Sequence, residues 1–152
     1  MIAAIATPLL GEQICFALYS ASRSLTSRYR QLLAPLGITY PQYLVLLVLW
    51  ESGTSTLSEL GRKLALDSGT LSPLLRRLET AGLLSRSRRP DDERSVAVAL
   101  TAAGSDLRQL AAGIPERVCA STGLDVGELQ ALQAQIATLA ERVRRSTLPA
   151  AT

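Results

Sequence analysis

Two cysteines and four tyrosines are the side chains best suited to carry chemistry, because the chain contains no histidine. Without histidine it lacks the commonest metal ligand and the commonest general base. We therefore expect that the protein is not an enzyme and that it binds no metal and no cofactor. Cys15 lies between Ile14 and Phe16, in a stretch with helical spacing. Such a cysteine is either a small buried hydrophobe or, given donors that stabilise its thiolate and access for an oxidant, a redox sensor.

Tyrosines supply the candidate donors for a Cys15 thiolate. Tyr19 lies one helical turn further on and shares a face with Cys15. Tyr29 and Tyr40 are more distant, so they could reach Cys15 only through the fold or across a dimer. A phenol that bonds to sulfur favours the charged form of the thiol. If Cys15 is inert, the two distant tyrosines are ordinary half-buried packing residues.

Small hydroxyl residues and a group of arginines form a second concentration of functional side chains. Ser68, Thr70 and Ser72 can bond phosphates or base edges without blocking close approach. The basic residues that follow within about one helix and one hairpin are Arg76, Arg77, Arg86, Arg88, Arg89 and Arg94. A formal charge of +3 says little about nucleic acid, but this clustering predicts DNA contacts rather than a merely solvated face. We expect Asp92 to bond to Arg94 or to the turn backbone and so to fix that arginine.

The first half of the chain supplies helices that position these residues. Apolar residues recur at helical spacing from Glu12 to Leu33, and Pro35 with Gly37 ends that helix. A second helix begins after Thr39 and ends at Ser52-Gly53. We predict a short third helix over 56–64, where Thr56 and Glu59 have the spacing of a capping box. Asp67 caps a fourth helix that ends at Gly82.

After Gly82 the spacing of the apolar residues changes from the helical period to the two-residue period of β-strands. Residues 83–89 and 95–100 are predicted to form a hairpin, with a polar turn over 90–93. Helical spacing returns at Thr101 and predicts two long helices, the last with apolar residues three and four positions apart. The two helices over 56–80 with their tight connection make a helix-turn-helix, and the hairpin makes it the winged variant. We predict a mainly α fold with a β-hairpin wing, in which the fourth helix enters the major groove and Arg94 enters the minor groove.

Length and composition agree with one soluble domain. A chain of 152 residues with 47% apolar and 19% charged residues can bury a hydrophobic core. The apolar start, Met1 to Leu10, lacks a basic region and is interrupted by Pro8, so no secretion signal is expected. No apolar run reaches membrane-spanning length. We therefore expect a cytoplasmic protein that does not associate with membranes, with its cysteines reduced.

Four segments give the sequence a family resemblance. The run 66–75, with Asp67-Ser68-Gly69-Thr70 at its start, and the later run 91–95, Asp-Asp-Glu-Arg-Ser, resemble the MarR family. Two N-terminal stretches, 13–23 around Cys15 and 36–43 with Tyr40-Pro41-Gln42, are similar to the OhrR branch, whose members are repressors that sense organic hydroperoxides. The similarity runs over about residues 10–145, nearly the whole chain.

The resemblance implies a homodimer on a pseudo-palindromic operator in double-stranded DNA. Residues 10–38 and 102–145 would hold the dimerisation helices, and residues 39–101 the winged helix-turn-helix. Cys15 would match the peroxidatic cysteine, with Tyr29 and Tyr40 bonding to it from the partner subunit and Tyr19 nearby in the pocket. Cys119 would match the cysteine that resolves oxidised Cys15 in two-cysteine members. An organic hydroperoxide would be the inducer.

Alternatives to this interpretation remain open. Cys119 is either the resolving thiol or a bystander at a helix end, in which case a small thiol would resolve Cys15. Cys15 itself is structural if the regulator is instead released by a small aromatic or phenolic ligand. A thiol peroxidase would leave the helix-turn-helix unexplained. A non-specific architectural DNA-binding protein is disfavoured by the modest net charge.

Overall fold

The structure, a computed structural model, describes residues 9–89 and 92–146, with the side chains of Arg89 and of residues 92–94 outside it. A 3₁₀ turn over Leu10–Glu12 precedes the first helix, and another over Ala34–Leu36 follows it. The helices and strands run, in chain order, α1 Ile14–Leu33, α2 Tyr40–Ser52, β1 Thr54–Thr56, α3 Leu57–Leu64, α4 Ser68–Thr80, β2 Leu84–Arg89, β3 Asp92–Leu100, α5 Ala102–Ala111, α6 Ile114–Thr122 and α7 Val126–Arg145.

The chain forms two compact units, of which the first ends at Ile114 and the second begins at Pro115. In the first unit α2 is apolar on every side and packs against α3 and α4, so it forms the centre of the core. The side chains that are completely or almost completely buried there are Leu33, Val45, Leu46, Leu49, Leu60, Leu71, Leu75, Leu78, Leu84 and Val98.

Local hydrogen bonds begin the helices where the sequence predicts. The amide of Thr56 donates to Glu59 Oε2 (2.7 Å), and the Glu59 amide donates to Thr56 Oγ1 (3.2 Å). This reciprocal pair is the predicted capping box of α3. Asp67 caps α4, also as predicted. The same arrangement, between Asp125 and Glu128, starts α7 in the second unit.

The sheet contains a strand that the sequence analysis missed. β1 pairs antiparallel with β3, which pairs with β2 on its other side, giving the order β1-β3-β2. Its three residues are Thr-Ser-Thr, which show neither alternation nor an apolar run. The hairpin is present, and β3 begins at Asp92 rather than at Ser95. The predicted turn residues Pro90 and Asp91 lie outside the described residues.

The prediction of two long helices after the hairpin is wrong. Three helices follow within the described residues, and only α7 is long. A turn at Ala112 and Gly113 ends α5, and Pro115 occupies the first turn of α6. Proline is accommodated there because the first amides of a helix have no partner within it.

Within the described ranges, no single helix is both long and apolar enough to cross a bilayer. Ile14–Leu36 and Tyr40–Ser52 reach that length and hydropathy only when taken together, and they are bent by 73° relative to each other.

Candidate functional site

The first turn of α4 presents small hydroxyl residues to solvent. Asp67 accepts the Thr70 amide at Oδ1 (2.7 Å) and the Thr70 hydroxyl at Oδ2 (3.2 Å). The hydrogen bond from the Thr70 backbone amide is the main cause of the lowered pKa of Asp67. Ser68 and Thr70 are exposed and Ser72 is half-buried, while the opposite face of α4 is in the core. The capping carboxylate therefore fixes the exposed end of the helix predicted to enter DNA, and it also takes up the Thr70 hydroxyl.

The predicted DNA-contacting arginines fall into three groups. Arg76 and Arg77 on α4 and Arg88 on β2 are exposed. Arg86, on the same strand as Arg88, forms an ion pair with Glu79 at the end of α4, with Nη2 2.5 Å and Nε 2.9 Å from Oε2. The predicted positions Arg89, Asp92 and Arg94 lie on β2 and β3, but their side chains are outside the described part of the structure.

A cleft between α3 and α4 brings in a basic residue that the sequence analysis missed. This cleft, of about 210 Å³, is lined by Arg62 and Ser58 of α3 and by Ser68 of α4, over a floor that includes Leu66 and Leu71. In a helix-turn-helix the first helix crosses the DNA backbone while the second enters the groove. Arg62 lies in the last turn of α3, and that place in the motif is the signal that indicates a backbone contact.

Cys15 is an exposed free thiol near the start of α1. Tyr19, one turn along, is exposed too, and its hydroxyl oxygen accepts a hydrogen bond from Arg23 Nη1 (2.8 Å). The Arg23 guanidinium also stands over the Tyr19 ring, 5.5 Å from its centroid. Because the Tyr19 oxygen acts as acceptor toward Arg23, its own proton remains available for a second partner such as a thiolate.

Tyr29 and Tyr40 lie together in the chain, as part of a cluster that includes Tyr43. The ring centroids of Tyr29 and Tyr40 are 4.5 Å apart, and those of Tyr29 and Tyr43 are 5.8 Å apart. Burial is the main cause that raises the pKa of each of the three phenols above its ordinary value. All three therefore remain O–H donors at neutral pH, as a hydrogen bond to a thiolate requires.

Cys119 lies in the last turn and a half of α6, just before α7. Its thiol is free and half-buried, and it donates a hydrogen bond to the Leu124 carbonyl oxygen (3.7 Å) in the turn before α7. The Thr122 hydroxyl donates to the Cys119 carbonyl (2.7 Å) in the same turn. The thiol is thus held in a defined position at the junction of two helices.

Across the described residues, no three cysteine or carboxylate side chains come together in a group that could hold a metal ion. The chemistry available here is that of thiols, phenols and a cationic surface beside a helix-turn-helix.

Comparison with known proteins agrees with the winged-helix fold. The MarR family model matches residues 38–96. The organic hydroperoxide resistance transcriptional regulator of Bacillus subtilis (strain 168) is 44% identical over 136 residues, which are 90% of this chain and 92% of that protein.

Solved structures show the same likeness. Reduced AbfR bound to DNA superposes with a TM-score of 0.75 at 34% identity, covering 90% of this chain and 95% of AbfR. Disulfide-formed AbfR gives a TM-score of 0.60 at 37% identity, covering 89% and 90%. BpsR of Bordetella bronchiseptica, whose DNA binding is regulated by 6-hydroxynicotinic acid, gives 0.76 at 27% identity, covering 85% and 99%. The chain therefore belongs to the MarR family of winged-helix transcriptional regulators, which are DNA-binding proteins and not enzymes.

Proposed function

We propose that this regulator is a homodimeric repressor that releases its operator when an organic hydroperoxide oxidises Cys15. The observation that carries the proposal is the exposed Cys15 thiol one turn from Tyr19, whose hydroxyl accepts from Arg23 and keeps its own proton to donate. The 44% identity to the Bacillus subtilis organic hydroperoxide resistance regulator supports it. A cytoplasmic location, where thiols are kept reduced, is what such a switch requires.

The DNA-binding step uses residues 39–101. The first turn of α4, with Ser68, Thr70 and Ser72, enters the major groove of the operator. Phosphates on either side are neutralised by basic side chains, and this neutralisation contributes sequence-independent affinity. The side chains assigned to these contacts are Arg76, Arg77, Arg86, Arg88 and Arg89, with Arg94 assigned to the minor groove and Asp92 to its positioning. The likeness to AbfR, whose reduced form has been solved bound to DNA, supports a DNA-binding role for this chain.

Residues 10–38 and 102–145 form the dimerisation region in this proposal. In α1 only Leu32 and Leu33 are buried, and α7 has no buried residue. Both helices instead expose apolar side chains, and apolar side chains at helical spacing favour association with another helix. The large apolar residues that these two helices expose are Ile14, Phe16, Tyr19, Leu25, Val126, Leu132, Ile136, Leu139 and Val143. A dimer places two copies of α4 about one helical turn of DNA apart on a pseudo-palindrome.

The redox step begins with the Cys15 thiolate, which attacks the terminal oxygen of the hydroperoxide. The O–O bond breaks, the alkoxide takes a proton and leaves as the alcohol, and Cys15 becomes a sulfenic acid. Phenolic donors stabilise the thiolate beforehand, Tyr19 from the same helix and Tyr29 and Tyr40 from the partner subunit. The thiolate of Cys119 of the other subunit then attacks the Cys15 sulfur, the S–O bond breaks as the disulfide forms, and the departing hydroxide takes a proton to become water. The new covalent link biases the dimer toward a state that does not fit the operator.

A Cys15→Ser variant tests the sensing step. It should bind operator DNA like the wild type under reducing conditions, and it should stay bound after treatment with cumene hydroperoxide. Anisotropy of a labelled operator fragment measures both affinities. Release of the Cys15→Ser protein by the peroxide would sink the proposal.

The role of Cys119 is tested separately. Non-reducing gels of the oxidised wild type should show a covalent dimer that is absent from Cys119→Ser. If oxidised Cys119→Ser still releases DNA without a covalent dimer, a small thiol or the sulfenic acid itself performs the switch.

A second candidate function is release by a small aromatic ligand, with Cys15 structural. The likeness to BpsR, whose DNA binding responds to 6-hydroxynicotinic acid, favours it. Titrating operator binding with aromatic carboxylates and with cumene hydroperoxide separates the two functions, because only the redox switch depends on Cys15.

A further inference from the structure

Four aromatic rings form a continuous row through the first unit. The row starts with Tyr40 and Tyr29, whose centroids are 4.5 Å apart, and passes from Tyr29 to Tyr43 at 5.8 Å. It ends at Trp50, whose ring meets Tyr43 edge-on at 6.0 Å. All three separations lie within the range of direct ring contact. The row therefore joins the end of α1 to the end of α2 without a gap.

Trp50 connects this row to α5 by a hydrogen bond. Its indole Nε1–H donates to the Gly104 carbonyl (2.9 Å), across 54 positions of sequence. The Trp50 carbonyl in turn accepts from Arg108 Nη1 (3.5 Å), one turn further along α5. Trp50, the last residue of the row, is thus hydrogen-bonded to α5 through both its side chain and its backbone.

Gly104 lies where α5 meets the base of the wing. A Cβ at this position would overlap the Leu83 carbonyl oxygen, so only glycine allows the helix to approach so closely. The Leu83 carbonyl accepts the Thr101 amide (3.2 Å), and the Thr101 hydroxyl donates to the Gly82 carbonyl (2.6 Å). Gly82 and Leu83 end the turn after α4, immediately before β2. This joint, defined by Gly82, Leu83, Thr101 and Gly104, holds α4, the wing and α5 together.

We propose that the aromatic row and the joint at Gly104 couple the redox state of Cys15 to the position of α4 and the wing. The row runs from Tyr40 through Tyr29 and Tyr43 to Trp50. This inference rests on the proposed function, because Tyr29 and Tyr40 reach Cys15 only in that scheme. Close-packed rings cannot shift singly, so a displacement of Tyr29 or Tyr40 moves Tyr43 and Trp50. Trp50 then acts as a positioning residue for α5, because its hydrogen bond to the Gly104 carbonyl transmits the displacement to that helix.

Trp50 is the only tryptophan in the chain, so its fluorescence reports on the row directly. Oxidation of the wild-type dimer with cumene hydroperoxide should change the Trp50 emission, and the same treatment should leave the emission of Cys15→Ser unchanged. A tryptophan with a purely structural role would not respond to a thiol elsewhere in the fold. If the wild-type emission is the same before and after oxidation, the coupling is absent. This measurement needs no variant of the row itself.

Trp50→Phe tests the hydrogen bond, because phenylalanine keeps a ring beside Tyr43 but has no N–H donor. We expect Cys15 to be oxidised at the wild-type rate, as followed by mass spectrometry. The ratio of operator Kd between oxidised and reduced protein should fall by about fivefold or more, a typical size for allosteric coupling. Val48→Ala is the matched control, since Val48 is buried in the same helix and is not a member of the row. Its ratio should stay at the wild-type value.

The outcomes distinguish this inference from the proposed function. Release of Cys15→Ser by peroxide, or failure of peroxide to release the wild type, overturns the proposed function and the coupling with it. If sensing by Cys15 holds but Trp50→Phe keeps the wild-type ratio, only the coupling is overturned. An equal loss of the ratio in Val48→Ala would also overturn it, because the effect would then be general loosening of α2.

Discussion

Arg86 of the wing is bound to Glu79 of α4, with Nη2 2.5 Å from Oε2. The hydrogen bond from Arg86 is the main cause that lowers the pKa of Glu79, so the pair is ionised at neutral pH. Both side chains are about one-third exposed, at 31% and 36%, so the pair contributes little to stability. The ion pair instead neutralises the charge of one of the arginines assigned to DNA. It also connects the wing to the end of α4.

Glu79→Gln should therefore make DNA binding more dependent on salt. Glutamine can still accept a hydrogen bond from Arg86, but it no longer cancels the arginine's charge. If the freed charge meets a phosphate, the slope of log K against log salt concentration should steepen by roughly one unit. Anisotropy titrations at several salt concentrations, on operator and on non-specific DNA, measure the slope.

Glu141→Gln is the matched control for that experiment. Glu141 also pairs with arginines, Arg144 at 2.8 Å and Arg145 at 2.6 Å, but it lies on α7, outside the winged region. Its slope should equal that of the wild type. An unchanged slope in Glu79→Gln would show that Arg86 does not use its charge on DNA, and an equal change in Glu141→Gln would show that only net charge matters.

Features set by neighbours in sequence could be predicted, and this explains which parts of the fold the sequence analysis found. The Thr56 and Asp67 caps each act within three residues, so their spacing indicates the helix start directly. β1 was missed because three residues cannot show a period, and its strand character comes only from pairing with β3. The break between α5 and α6 was missed because apolar spacing continues across Gly113.

The parts of the site that could not be predicted depend on contacts between residues that are far apart in sequence. The Arg86 partner is fixed by how the wing folds back on α4, and no local pattern distinguishes Arg86 from Arg88. Trp50 and Gly104 are 54 positions apart, so neither signals the other. The residue types that carry the proposed chemistry were recognisable, but their connections depend on the tertiary structure.

Gly104→Ala should destabilise the protein, because the added methyl would overlap the Leu83 carbonyl, a backbone atom that cannot rotate away. Overpacking of this kind typically costs about 1–3 kcal/mol of unfolding free energy. Urea denaturation of the reduced protein measures the change. Gly113→Ala is the control, since nothing lies within 4 Å of the position its Cβ would take and its φ is not positive. Equal stability of Gly104→Ala and Gly113→Ala would contradict the close approach at the joint.

The apolar row of α7 leads to a prediction about assembly. Leu132, Ile136 and Leu139 are spaced four and three apart, as in a helical seam, yet they are 42%, 40% and 38% exposed. Aspartate in the middle of a seam between subunits would bury an unpaired charge, which costs far more than the lost apolar area.

We therefore expect Ile136→Asp to raise the dimer dissociation constant by about tenfold or more, the effect of losing a central interface residue. Sedimentation velocity over a range of concentrations measures the constant, and operator affinity should fall in parallel, because one winged module contacts only one half-site. Gln130→Asp is the control, since Gln130 is exposed on α7 and points away from Leu132 and Ile136 by helical geometry. Gln130→Asp adds the same charge to the helix but outside the seam, so the dimer of this variant should persist. If Ile136→Asp stays dimeric at the wild-type constant, the seam of α7 does not hold the dimer, and the assignment of residues 102–145 to dimerisation fails at this helix.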